Sequence, residues 1–413
     1  MLSFLRVHQG IRYWRQIKRL SAESGGCTAR RLLVDVSVLR RVDSRTGIQR
    51  VVRAILLELS RISLAGRVVQ PVFATRKDAY HYCDLAFLGQ DLSISVPRTE
   101  GLVVPRGGDV FLGLDLAIHL LPIHEWQIRH WKREGVVLFA VVYDLLPLRD
   151  RRWFTAKVRR RFRSWLKLLA RRMDGTICIS RAVAIEVQEA FAALGYKKGR
   201  PHISAIMLGG DILATLPSAG LPAGAEAIIE LVRSRATILM VGTIEPRKAH
   251  DKALAAFEYL WAQRGETAPL LLIIGKAGWK TQALQQRLRT HPQAGTGFLW
   301  LDDVSDEFLD RLYGAAAGVL MTSYAEGCGL PVLEALANGR PVLVRDLPVF
   351  REIEAPSISF FQDDAPDALA ASIIDFTHSS RQVGVEKSTV QAMTWANTAL
   401  LLMNVIEAEL ANA

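Results

Sequence analysis

Two glutamates carry the clearest chemical pattern in the chain. They stand in Tyr324-Ala-Glu-Gly-Cys-Gly-Leu-Pro-Val-Leu-Glu-Ala-Leu336, with seven residues between Glu326 and Glu334. The stretch follows an apolar, strand-like run at 318–322. It leads into helical spacing that stops near Asn338 and Gly339. Glu326 then falls in a strand-to-helix loop. Glu334 falls just over one turn inside the helix, and Pro331 is tolerated in the first turn. Gly327 and Gly329 let backbone approach a ligand closely. N–H groups at a helix start, here around Gly329 and Leu330, can hold phosphate or sugar oxygens. A carboxylate at such a place is a good acceptor for sugar hydroxyls. Two solvated glutamates around a helix cap would be the plain alternative.

A second loop supplies positive charge. Val241-Gly-Thr-Ile-Glu-Pro-Arg-Lys248 closes a strand-like run at 237–244 and opens a helix. Gly242 and Thr243 can lie against a ligand at the strand end. Arg247 can neutralise a diphosphate through two parallel hydrogen bonds, and Lys248 as a point charge. Taken alone, these are also ordinary charges at a helix start.

The first passage resembles the E-x7-E signature of retaining GT-B glycosyltransferases, a family in which the C-terminal half binds a nucleotide-diphospho-sugar. The flank Leu-Glu-Ala-Leu-Ala-Asn-Gly-Arg-Pro-Val matches as well. The resemblance implies that Glu326 lies by the donor sugar and Glu334 on the ribose. It puts Arg247 and Lys248 on the diphosphate leaving group, and Gly329 and Leu330 facing the sugar and phosphates. Cys328 stands where the family often has an aromatic residue. Thr46-Gly-Ile-Gln-Arg-Val-Val52 is similar to a loop of bacterial O-antigen and exopolysaccharide mannosyltransferases. There Gly47 would approach donor phosphate or acceptor, with Gln49 and Arg50 as polar contacts. Val142-Tyr-Asp-Leu-Leu-Pro147 resembles a His-Asp-Leu-x-Pro segment. Tyr143 replaces the histidine, and Asp144 is expected near the reacting sugars. A turn-capping role would serve Asp144 equally. Ile179-Ser180-Arg181 resembles a Val-Ser-Glu segment, with Arg181 in place of the acid. Glu326, Arg247, Lys248 and Asp144 are thus the expected catalytic set.

These loops need a scaffold that presents strand ends, and the chain provides one. Strand-like runs at 32–39, 68–74, 109–114, 136–146, 175–180 and 202–208 alternate with helical spacing such as 47–60 and 181–194. In the second half, runs at 237–244, 270–275, 298–301, 318–322, 341–344 and 358–361 alternate with patterns such as 248–264 and 365–375. Such alternation predicts buried parallel sheets. With 413 residues, the chain has room for two domains of about 200 each. The expected architecture is α/β, GT-B: two Rossmann-like, doubly wound domains facing across a cleft. The expected parts are a basic segment 1–30, an acceptor domain 31–212, a linker 213–235, a donor-binding domain 236–385 and a C-terminal helix 386–413 crossing back to the first domain.

Half of the residues are hydrophobic and 23% are charged, which excludes a disordered chain. The net charge of +11 favours an anionic partner without choosing one. Residues 151–172 hold ten Arg/Lys and no acid, with Phe154, Val158, Phe162, Trp165, Leu166 and Leu169 at helical spacing. Residues 1–20 hold five Arg/Lys around Phe4, Val7, Ile11 and Trp14. Both segments suit an anionic lipid surface, or else a packed helix with a solvated basic face. No apolar run is long enough to span a membrane. Four scattered cysteines suggest a reducing cytosol. The expected place is the inner face of a bacterial cell membrane.

Neither a D-x-D triplet nor a metal-spaced histidine cluster occurs, so neither a metal nor another cofactor is expected. The expected partners are a nucleotide-sugar donor, a lipid-linked saccharide acceptor and further glycosyltransferases. No recognised nucleic-acid-binding module occurs. Three rival readings remain: a GT-B nucleotide-sugar epimerase, a basic nucleic-acid-binding protein, and an inactive GT-B scaffold.

Overall fold

The computed structural model describes Tyr13 and residues 29–62, 66–89, 101–196, 201–380 and 394–412. Apart from Tyr13, the basic stretch 1–20 lies outside the described residues. Tyr13 itself is buried. Its hydroxyl donates to the Val103 carbonyl at 3.4 Å and accepts from Trp131 Nε1 at 3.1 Å.

The chain divides into two compact units. The first holds Met1–Arg149, Phe154–Met207 and Thr398–Ala413; the second holds Asp150–Trp153 and Leu208–Asn397. In the first unit, β1 (Arg30–Asp35), α1 (Ser37–Arg41), α2 (Gly47–Arg61), β2 (Arg67–Phe73) and β3 (His81–Tyr82) are followed by β4 (Val110–Gly113), α3 (Glu125–Arg133) and β5 (Val137–Val142). Then come α4 (Leu146–Arg149), α5 (Ala156–Arg172), β6 (Gly175–Cys178), α6 (Arg181–Ala193) and β7 (His202–Ala205). The sheet order is β3-β2-β1-β4-β5-β6-β7, parallel except for β3 against β2. β5 reads Val-Leu-Phe-Ala-Val-Val, the near-continuous apolar run of a strand covered on both faces.

The second unit runs α7 (Ala225–Ser234), β8 (Thr237–Val241), α8 (His250–Arg264), β9 (Leu270–Ile274), α9 (Gln282–Thr290), β10 (Phe298–Leu301) and α10 (Asp306–Ala315). It continues with β11 (Gly318–Met321), α11 (Leu330–Ala337), β12 (Val342–Arg345), α12 (Pro348–Arg351), β13 (Ile358–Phe361) and α13 (Pro366–Ser380). Its sheet is parallel in the order β10-β9-β8-β11-β12-β13. In both sheets the order reverses beside one strand, β1 or β8. Ligands of doubly wound sheets bind at the carboxyl ends of the strands at that point.

Several expectations need correction. The strand expected at 32–39 ends at Asp35, and the short helix α1 follows. The cause is a pair of buried carboxylates. Asp35 accepts the Ser37 N–H at 2.9 Å and the Ser37 hydroxyl, while Asp115 accepts the Val38 and Leu39 N–H groups at 2.7 Å each. The helix expected from 248 starts at His250, because Pro246–Lys248 form a 3-10 turn and Ala249 takes a φ of 51°. The linker expected at 213–235 is not free chain. Asp306 accepts the Ser218 N–H and hydroxyl at 2.9 and 3.0 Å, and α7 buries Ile229 and Val232.

The apolar stripe of α5 is also settled. Phe162, Trp165, Leu166 and Leu169 lie in the core of the first unit. That stripe faces protein rather than lipid. What α5 turns outward is charge, with Lys157, Arg160, Arg163, Lys167 and Arg171 exposed.

The last helix, α14 (Trp395–Ala411), begins in the second unit, where Trp395 Nε1 donates to the Asp211 carbonyl at 2.8 Å. From Thr398 onward it belongs to the first, with ion pairs Arg67–Glu407 at 2.9 Å and His202–Glu409 at 2.6 Å.

The acid pair makes a testable statement about pH. Burial lifts Asp35 to about 6, and burial with the neighbouring Asp35 charge lifts Asp115 to about 7. A raised carboxyl binds its proton more tightly in the folded state. Its contribution is therefore complete below about pH 4 and is lost as pH climbs through 6 to 7. In Asp35→Asn the amide oxygen can still accept from Ser37, and its NH2 can meet the Tyr80 hydroxyl, which lies 2.8 Å from Asp35 Oδ2. We expect this variant to melt less pH-dependently between pH 5 and 8. At pH 8 the first unit should gain on the order of 1–2 kcal/mol over wild type. Melting curves across that range check it.

Candidate active site

β8 and β11 are hydrogen-bonded neighbours, so the loops leaving their carboxyl ends emerge side by side. Thr322 stitches them together, its hydroxyl donating to the Lys248 and Ala249 carbonyls at 2.8 and 3.0 Å. The Tyr324 N–H donates to the Arg247 carbonyl at 2.8 Å. This backbone register brings three of the expected catalytic side chains into contact. Lys248 Nζ lies 2.6 Å from Glu326 Oε1, and one Arg247 terminal nitrogen lies 2.7 Å from Glu326 Oε2. The other Arg247 terminal nitrogen lies 2.7 Å from Glu245 Oε1. Arg247 also donates to the Ala325 carbonyl at 3.0 Å.

The network is largely shielded from water, with side-chain exposures of 16% for Arg247, 10% for Lys248, 7% for Glu326 and 5% for Glu245. Burial alone would raise the Glu326 pKa. The two cations outweigh it and hold Glu326 down at about 2. Glu245 goes the other way: its burial outweighs Arg247 and Lys248, and its pKa is raised. His250, two residues past the loop, is buried, and burial with the two cations pushes it to about 3. It is a neutral imidazole at any physiological pH.

Glycine is required where these loops crowd. Gly242 has a φ of 141°, and a Cβ there would meet Lys248 Cε at 3.2 Å. Gly329 starts α11 with a φ of 73°, and a Cβ there would fall 2.3 Å from Phe350 Cε1. Thr243 is half-buried and Gly327 buried beside them. Leu330 is the first residue of α11, and its N–H is directed at the Cys328 sulfur. Burial and then Glu326 push the Cys328 thiol up, so it stays protonated. Glu334 points into the same region of the unit from α11. It is 3% exposed, and its Oε2 accepts the Tyr313 hydroxyl at 2.8 Å.

Beside the glutamate loop, Arg345 lies over the Tyr324 ring, 4.5 Å from its centroid. Arg345 pairs with Asp364 at 2.7 Å, and Asp364 accepts the Tyr324 hydroxyl at 3.0 Å.

The candidates in the first unit have local structural roles. Asp144 accepts the Leu146 N–H at 3.1 Å and so caps the turn into α4. Tyr143 is buried, its hydroxyl donating to the Leu114 carbonyl at 2.6 Å. Gly47 is the exposed first residue of α2, where Thr46 and Gln49 form a capping box. The Gln49 amide nitrogen is further committed to the Val42 carbonyl. Arg181 opens α6, exposed, behind the Ser180 cap.

Sequence reasoning assigned no role to Glu245, although it lies inside the quoted loop. Its two-residue offset from Arg247 was the available signal. Tyr313 lies 21 positions before Glu334 on another helix and gave no local sign. Among the described residues, no group of three or more His, Cys, Asp or Glu is placed to hold a metal.

The strand-end loop pair, with two cations on one buried glutamate, thus lies inside a doubly wound domain. The model for glycosyl transferases group 1 matches residues 226–389, the stretch that carries every one of these loops. Residues 226–389 are thus similar to the group 1 glycosyl transferases. Among the relatives of the chain is the serotype-specific mannosyltransferase WbdA of Escherichia coli, 37% identical over 382 residues. The alignment covers 91% of this chain and 46% of WbdA, so the chain spans about half the length of that relative. The O-antigen chain mannosyltransferase B of the same organism is 31% identical over 170 residues, covering 40% of this chain and 44% of the relative. Solved structures give the fold. Anabaena Alr3699/HepE, crystallised with UDP and glucose, aligns with a TM-score of 0.61 at 16% identity, over 93% of this chain and 99% of that one. Sucrose-phosphate synthase from Thermosynechococcus elongatus aligns at 0.62 and 16%, over 93% and 100%. The chain therefore has the GT-B fold.

The crowding at Gly329 can be checked directly. Gly329→Ala combines a left-handed backbone with a Cβ that clashes with the edge of the Phe350 ring. We expect a loss on the order of 2–3 kcal/mol in the second unit. Gly329→Ala with Phe350→Leu should recover part of it, the steric share, and leave the backbone share. Chemical denaturation of the three proteins reads both.

Proposed function

We propose that this chain moves a hexose, mannose by the names of its relatives, from a nucleotide-diphospho-sugar to a lipid-linked saccharide, with retention at the anomeric carbon and without a metal. The setting is bacterial surface-polysaccharide assembly. The observation that carries the reading is the contact of Arg247 and Lys248 with Glu326 at the carboxyl ends of β8 and β11.

In this reading the diphosphate docks on Arg247 and Lys248, whose charges stabilise the leaving group as its bond to the anomeric carbon breaks. Glu326, ionised at neutral pH, accepts hydrogen bonds from the sugar hydroxyls near that carbon. Glu334 takes the ribose, and the start of α11 faces the phosphates. The acceptor oxygen bonds to the anomeric carbon on the face that the phosphate leaves. Its proton passes to the departing phosphate oxygen, so no protein base is consumed. Asp144 and the Gly47 loop serve the acceptor side. Two cations on the diphosphate supply the role that a metal ion fills in other transferases.

No described helix is long and apolar enough to cross a membrane. We place the chain at the inner face of the bacterial membrane, held through the cationic side of α5 on anionic lipid, where a lipid-linked acceptor resides.

Thermal-shift screening with GDP, UDP, dTDP, ADP and their sugar conjugates tests the donor site. One nucleotide should raise the melting temperature, and Lys248→Ala and Glu334→Ala should blunt that rise. Absence of any shift at millimolar ligand would sink the reading. In a transfer assay, Arg247→Ala and Lys248→Ala should each lower kcat by about 10²–10³-fold. Activity should persist in EDTA; its loss there, with recovery on adding Mg²⁺ or Mn²⁺, would refute the metal-free mechanism.

A further inference from the structure

We infer that the Tyr313 hydroxyl aims the Glu334 carboxylate at the donor's ribose, which makes Tyr313 a positioning residue for nucleotide recognition. The inference rests on the reading that Glu334 takes the ribose.

Tyr313 lies on α10, the helix that leads into β11, and Glu334 lies on α11, the helix that leaves it. The phenol is fully buried, and its oxygen sits 2.8 Å from Glu334 Oε2. The Pro331 carbonyl, at 3.5 Å, is a longer second acceptor. Neighbours Phe308, Leu309 and Leu312 on α10 are buried too. Glu334 is itself 3% exposed. A hydroxyl at this depth is costly unless bonded, and a bond to a carboxylate is of the stronger, charge-assisted kind.

The consequence is directional. A carboxylate has two oxygens and about four acceptor directions. One held through Oε2 can no longer turn about its terminal bond, so its remaining directions are fixed relative to α11. A ribose diol presents two donors at fixed spacing. It gains most from an acceptor whose orientation is already set, because none has to be frozen on binding. Phenylalanine would fill the same volume and leave the carboxylate free to rotate.

The readout is discrimination between ribose and deoxyribose, which a purely structural role would not move. Calorimetric titrations use GDP, UDP and ADP, each beside its 2′-deoxy counterpart. For the base that binds, wild type should prefer the ribose form by about tenfold. Tyr313→Phe should bring the two forms within about twofold by weakening the ribose form alone, raising donor KM more than it lowers kcat. Its melting temperature reports an intact fold. Glu334→Gln keeps Tyr313 and tests the acceptor side of the same bond; it should also lose the preference. If Tyr313→Phe keeps the wild-type ratio, or weakens both forms equally, the inference falls. If Glu334→Gln loses the ratio while Tyr313→Phe keeps it, only the inference falls and the ribose site stands. If Glu334→Gln also keeps the ratio, or wild type binds none of the three nucleotides, the ribose-site reading falls with it.

Discussion

The second unit is organised around one buried carboxylate. Glu326 accepts from Lys248 and Arg247, and those residues leave a different strand end from its own. Everything near it follows from making that contact possible. β8 and β11 must be neighbours. Thr322 must tie the loops at the backbone, and Gly242 must lack a side chain where Lys248 crosses it. Buried ion pairs are poor sources of net stability, since desolvation consumes most of the attraction. Losing one partner, however, strands the others. The network therefore fixes a conformation more than it adds stability. That conformation is one in which two cations and a carboxylate converge at the switch point of a doubly wound sheet.

Much of this was legible in the residues. Period and composition placed twelve strand-like runs, and a strand overlaps each of them. The spacing of Glu326 and Glu334 put one acid in a loop and one in a helix. The structure has them so: Glu326 sits before α11 and Glu334 within it. What was not legible depended on pairs distant in sequence. The end of β1 is set by Asp115, 80 positions after Asp35, through N–H groups that only a folded sheet brings within reach. The partner of Glu334 arrives from the preceding helix. The two-residue strand β3 is too short to show a period.

The aromatic stripe of α5 illustrates a different limit. Helical spacing of Phe162, Trp165 and Leu169 states that one face is apolar, not what covers it. A sheet and a lipid surface demand the same pattern. Only the packing against the first unit's core decides it. Asp144 and Gln49 carry the converse lesson. Both match sequences associated with binding, and both are engaged in ending or starting a helix. A capping residue at a strand end holds the loop in which chemistry happens, so matching residues there can report the shape of a loop as readily as its reactivity.

The makeup of the buried network bears on how an anion reaches it. Glu245, Arg247, Lys248 and Glu326 are two acids and two bases, so the quartet has no net charge when all four are ionised. The excess of the chain sits elsewhere, much of it along the outward side of α5. On the proposed function, a diphosphate would thus be recognised by exchange of partners at short range rather than drawn in by a long-range field. Its affinity should respond weakly to ionic strength, whereas any contact made through α5 releases counterions and weakens steeply with salt. The two electrostatic regimes of this chain are separable in one titration, because only one of them has an atmosphere of ions to shed.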